Sequence, residues 1–242
     1  MLTKFQINLF SQLDAHYKAQ VPLEGESANM RGACEMVREF AIDRSSKSAT
    51  DIADELIMPS DTPIAYVNGA VKLTWKHKGI TSLTSEVFEK IIKKMLDESL
   101  SSQRISRRHF MDLRQEFFDA AQCEPNQCFN RFAFACYPTQ FCSVVSPKRL
   151  RAVLNELNRR GLLSPSWMGI ALPTMASFDP DVAWHNDIIA AQPDKFDTDE
   201  WYDLCETVVP ILKEAFPLHD YAEHTCFLAR MGKRLNDLGV PV

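Results

Sequence analysis

The sequence predicts a mainly α fold (α+β in class, with one small β-hairpin), and three observations carry that reading. Apolar residues recur at helical spacing through most of the 242 residues, only eight glycines punctuate them, and a single Asn-Gly step separates two apolar, β-prone runs. Apolar residues make up 45% of the chain and charged residues 24%, ordinary globular values that allow a sizeable buried core.

The first helix is expected over residues 4–18, where Phe5, Leu9, Phe10, Leu13 and Tyr17 form one apolar stripe. A second is expected from about Ala28 to Ile42, with Met30, Cys34, Val37 and Phe40 inward, and a short third over 50–57. Residues 63–67 and 70–75 flank Asn68-Gly69, and both central residues of a type I′ turn need positive φ, so a hairpin is expected there. Ser82 to Asp97 reads as a helix on Val87, Phe88, Ile91, Ile92 and Met95. Ser106 reads as the N-cap of a helix reaching about Ala120, and the apolar run 129–136 as helix ended by Pro138.

Ser146-Pro147 is the best-marked start in the chain, with serine as N-cap and proline at the first helical position; Gly161 closes that helix from C′. Residues 162–180 read as a connection. Helices follow at about 181–191, 198–216 (kinked at Pro210) and 221–238. The expected division is a helical lobe of residues 1–161, holding the hairpin and a basic middle, and an acidic helical lobe of residues 162–242, with the packing of both as one domain as the alternative.

Charge supports that division. Residues 1–70 carry 6 Lys/Arg against 10 Asp/Glu, residues 71–160 carry 16 against 9, and residues 161–242 carry 5 against 13. The overall net charge of −5 therefore conceals a basic middle (+7) between acidic ends (−4 and −8), the most informative bulk feature of the chain. The start of the chain lacks the apolar core of a secretory signal, and no window is apolar enough to span a membrane, so a cytoplasmic location is expected.

On a helical wheel at about 100° per residue, Leu150, Val153, Leu154 and Leu157 fall on one side of the helix after Ser146. Lys148, Arg151, Asn155, Asn158 and Arg159 fall opposite. Cations can bond phosphates, and Asn and Arg can bond base edges. Lys148 and Arg149 also lie in the first turn, where the helix dipole disfavours cations. The plainer account is a solvated polar face. Arg104, Arg107 and Arg108 form a second basic cluster. Trp75, Lys76 and Lys78 form a third, where an aromatic beside cations could stack on a splayed base, or the tryptophan could simply be core.

No catalytic residue is expected. There is no G-x-x-x-x-G-K-[ST], H-E-x-x-H or G-x-S-x-G, and no cofactor motif. His185, His219 and His224 lie among carboxylates, and His185 with Asp187, or His219 with Asp220, read as surface polar groups rather than an acid–base pair. Seven cysteines are expected to be buried thiols, because Cys123, Cys128, Cys136 and Cys142 lack the tight pairs of a zinc site; no metal is expected. A metal-dependent enzyme using those cysteines is the weakest of the competing readings.

One stretch resembles a known family. Phe129-Asn130-Arg131, Tyr137-Pro138 with Phe141, Val144-Val145-Ser146, and Leu150 with Leu154 are similar to a helical segment in the N-terminal regions of McrB-like modification-dependent restriction proteins. Residues 201–204 and 223–228 are similar to the helices that follow it. The resemblance implies DNA recognition in a restriction or antiviral defence system, in partnership with a AAA+ motor or a nuclease subunit. This chain carries neither a motor domain nor an aromatic cage for a flipped base. The alternative expectation is a protein-interaction adaptor that docks a partner through its acidic C-terminal third.

Overall fold

The computed structural model describes residues 1–21, 26–42, 86–121, 126–163 and 200–237. Within them 79% of residues are helical and none is in a strand, so the fold is mainly α. The expected hairpin at Asn68-Gly69 and the helices expected over 50–57 and 181–191 lie outside the described residues.

Eight helices are described: α1 Lys4–Gln20, α2 Glu26–Ile42, α3 Glu86–Ser101, α4 Arg107–Ala121, α5 Asn126–Cys136, α6 Pro147–Arg159, α7 Trp201–Ala215 and α8 Tyr221–Asp237. Their ends follow local chemistry. Thr3 and Gln6 form a reciprocal capping box at the start of α1. Ser106 accepts the His109 amide before α4, and Ser146 accepts the Arg149 amide before α6, with Pro147 opening the helix. Gly161 takes a φ of 70°, and the bonds Leu162 N to Leu157 O and Gly161 N to Asn158 O complete a Schellman stop. Asp220 accepts the Ala222 and Glu223 amides while Glu223 accepts the Asp220 amide, a second capping box, at α8. Helix α7 runs through Pro210, which is exposed.

The chain divides into two compact units. One comprises Met1–Glu24 with Ser146–Val242, the other Gly25–Val145. This grouping differs from the division at residue 161 expected from the sequence. Helix α1 packs on α7 and α8, and α6 packs on the same two helices. Their apolar stripes therefore share one core: Phe10, Leu13, Tyr17, Leu150, Val153, Leu154, Leu157, Trp201, Leu212 and Phe227 are each no more than 1% exposed. Phe10 sits edge-on to Phe216 at 5.7 Å, and Phe227 lies 5.9 Å from Phe10 and 6.4 Å from Tyr17. Gln6, fully buried, donates to the carbonyl of Gly161 at 3.0 Å and so ties the start of α1 to the end of α6.

In the other unit α2 packs on α3 and α5, and α3 packs on α4 and α5. Its centre is aromatic: Phe129 lies 5.2 Å from Phe110, 5.3 Å from Phe117 and 6.5 Å from Phe118, and Phe110 also meets Phe141. The loop after α5 is fixed by Gln140, whose side chain pairs with both the N–H and the C=O of Ile105. Tyr137 donates its hydroxyl to the Met95 carbonyl; burial, first of all, pushes that phenol far above its ordinary range.

Candidate nucleic-acid interface

Half of the expected site lies on helix α6. The leucines and Val153 are buried as expected. The opposite side is not the open polar face that its sequence implied. Asn155 and Asn158 are each only 6% exposed, so their amides do not lie on an open surface available to base edges. The wheel gives each side chain a direction but not what covers it, and here the cover extends past the apolar stripe.

The basic end of the helix is organised around a carboxylate. Glu156, 3% exposed, forms an ion pair with the Nε of Arg160, which is itself 1% exposed. Its other oxygen lies 3.7 Å from Arg159 Nη1. Arg159, expected as a phosphate contact, is thus held by the same carboxylate that neutralises a buried neighbour. A signal for this existed in the sequence: Arg149, Glu156 and Arg160 are spaced i, i+7, i+11, which puts them along one line beside Val153.

The first turn is different. Lys148 is exposed, and Arg151 is partly exposed. Arg149 lies with its stem against the backbone of α8: a Cβ built on Gly232 would stand 3.0 Å from both Arg149 Cγ and Cδ. The glycine therefore lets the arginine stem lie close along α8. Burial holds the guanidinium below its ordinary pKa, its Nε is buried without a hydrogen-bond partner, and no ion pair to it is found among the described residues. A cation that is partly desolvated with no carboxylate against it among the described residues carries an energetic cost that the described packing does not offset.

Arg104, Arg107 and Arg108 are all exposed in the other unit, at the start of α4. Between α3 and α4, Lys94 pairs with Glu116 at 3.1 Å, and His109 Nε2 lies 2.8 Å from Glu98 Oε1. Lys90 and Lys93 are exposed on α3. Trp75, Lys76 and Lys78 lie outside the described residues.

Grouping by unit alters the charge picture. The unit Gly25–Val145 holds 15 Lys/Arg and 16 Asp/Glu, a net of −1. The other holds 12 and 16, a net of −4. The basic middle of the sequence is divided between them, because residues 146–160 belong with the acidic C-terminal third. What remains basic is local: the start of α6 in one unit and the start of α4 in the other.

No protein-family model, curated protein or solved structure matches this chain.

Elsewhere, Cys34, Cys136, Cys142, Cys205 and Cys226 are buried and outside any disulfide, as the sequence implied. Burial, and then the neighbouring Cys34, push the Cys136 thiol up, away from the reactive thiolate. Among the described residues no three His, Cys, Asp or Glu side chains are arranged to hold a metal ion. No described helix is long and apolar enough to cross a membrane. His224 is 6% exposed, with Nε2 3.0 Å from the Phe216 carbonyl.

Proposed function

We propose that this chain is a non-catalytic DNA-binding module that grips the phosphate backbone rather than reading bases. The observation that carries the reading is Arg149, a half-buried guanidinium without an ion-pair partner among the described residues, beside exposed Lys148 in the first turn of α6. Helix N-termini favour anions, so cations gathered there suit a phosphate that both the dipole and the side chains attract. The burial of Asn155 and Asn158 favours phosphate contact over base readout on this helix. Arg104, Arg107 and Arg108 supply a second set of exposed cations. On the resemblance of residues 129–157 to McrB-like proteins, such a module would serve restriction or antiviral defence, beside a AAA+ motor or nuclease subunit.

The adaptor reading has less to draw on. In the acidic C-terminal third, Asp220 and Glu223 cap α8, and Glu214 accepts the Leu2 amide. Those carboxylates serve the fold.

The test is a paired substitution. Lys148→Gln with Arg149→Gln removes two cations but keeps the arginine's stem length over Gly232. The slope of log affinity against log salt for duplex DNA should fall by about 2, since each lost phosphate contact removes roughly 0.9. Lys4→Gln, an exposed cation on α1, should leave the slope nearly unchanged. An unaltered slope in the paired variant defeats the assignment to α6.

A further inference from the structure

The corner between α7 and α8 converges on a single carbonyl. Phe216 is the C-cap of α7, with its N–H donating to the Leu212 carbonyl. Its own oxygen accepts from the His219 amide at 3.0 Å and lies 3.0 Å from His224 Nε2. A carbonyl only accepts, so His224 must carry its proton on Nε2. The ring of Phe216 stacks on the imidazole of His219 at 4.9 Å and 11°, and meets the core rings of Phe10 and Phe227 at 5.7 and 5.3 Å. The two imidazoles are 6.2 Å apart, and the Nδ1 of His219 is buried without a hydrogen-bond partner.

We propose that this corner is a proton-operated latch: His224, buried as a neutral imidazole, ties α8 to the end of α7 through the Phe216 carbonyl, and the charge of a second proton on His224, which the buried corner cannot hydrate, drives that contact open. A second proton on His224 has to enter at Nδ1, on a ring that is 6% exposed and beside another imidazole. Opening the corner is the way to hydrate that charge. Because Phe216 carries the contact to Phe10, release also loosens the seat of α1.

The charged surroundings favour the neutral ring on balance. Burial is the largest influence and lowers the His224 pKa below its ordinary 6.5. The Phe216 carbonyl raises it, His219 lowers it, Asp220 raises it, and Lys213 from α7 lowers it. Glu223, one residue before it, is engaged with the Asp220 amide. From α1 the charge that meets α8 is Asp14, on Arg230, and from α6 it is Arg149, on Gly232; these lie six and eight residues along α8 from His224. The sign follows directly. The His224 pKa is lowered in the folded state, so its stabilisation is present above 6.5 and is lost as pH falls through the lowered value.

The experiment follows the histidine ring signals of the full chain by NMR from pH 8 to pH 5, together with amide exchange at residues 216–224. His224 should titrate below 6.5 from an Nε2–H tautomer, and amide exchange at the corner should accelerate over the same interval. In His219→Gln its midpoint should move back toward 6.5. In His224→Gln, a neutral side chain that can still donate to the carbonyl, acceleration of corner exchange should be lost. If His224→Gln does not fold, the wild-type titration and His219→Gln still decide. A His224 midpoint at or above 6.5, or corner exchange that ignores its titration, overturns the latch.

Discussion

Glu156→Leu should be among the most damaging single substitutions in the unit that holds α6. The carboxylate is 3% exposed and its partner Arg160 is 1% exposed. Removing one member of a buried ion pair leaves the other charge without its compensation, which costs about 3–5 kcal/mol. That is a large part of the roughly 5–15 kcal/mol by which whole domains are stable. Arg159 would lose its contact with the other carboxylate oxygen as well. The double variant Glu156→Leu with Arg160→Met should recover most of the loss, since replacing a whole buried pair by apolar side chains is often neutral. Urea unfolding of the four proteins of the cycle measures the coupling. A Glu156→Leu loss of about 1 kcal/mol or less, which is the range of exposed pairs, would contradict the account of this pair.

Phe129→Ala should be comparably severe in the other unit, at about 3–5 kcal/mol. Phe129 is unexposed, and three other phenylalanine rings lie within 6.5 Å of its centroid. Truncation leaves a void faced by rings on α4, which Gln140 and Ile105 pin to the loop after α5. That constraint limits collapse into the space, and the cost of a cavity depends on such collapse. Phe129→Leu, which removes less volume, should cost less. Chemical denaturation monitored by circular dichroism checks both, and near-equal midpoints for the alanine variant and wild type would show that the cluster is not a packing centre.

These cases show where the sequence was informative. Helix existence was readable because periodicity and caps are local: Thr3 with Gln6, Ser106, Ser146-Pro147 and Gly161 each act within a few residues of themselves. Which helices share a core was not, because α1 and α6 are joined through α7 and α8 by contacts between residues far apart in the chain. Helix α6 shows the same limit for a site. Its wheel correctly put Leu150, Val153, Leu154 and Leu157 inside, but an amide pattern such as Asn155 with Asn158 is the same whether solvent or protein lies over it. Arg159 read as a free cation until Glu156 was seen to hold it. Lys148, Arg107 and Arg108, in the first turns of their helices, and Arg104, just before α4, are exposed cations.

The central claim is phosphate-directed binding, and the measurement that tests it most directly is a titration of the wild-type chain with two duplexes of unrelated sequence at several salt concentrations. Contacts from Lys148, Arg149 and Arg151 alone imply a log–log slope of about −3, with any contribution from Arg104, Arg107 and Arg108 making it steeper. Nearly equal affinity for both duplexes, falling along such a slope, is the result expected. Absence of binding at low salt, affinity indifferent to salt, or a strong preference for one duplex would contradict it.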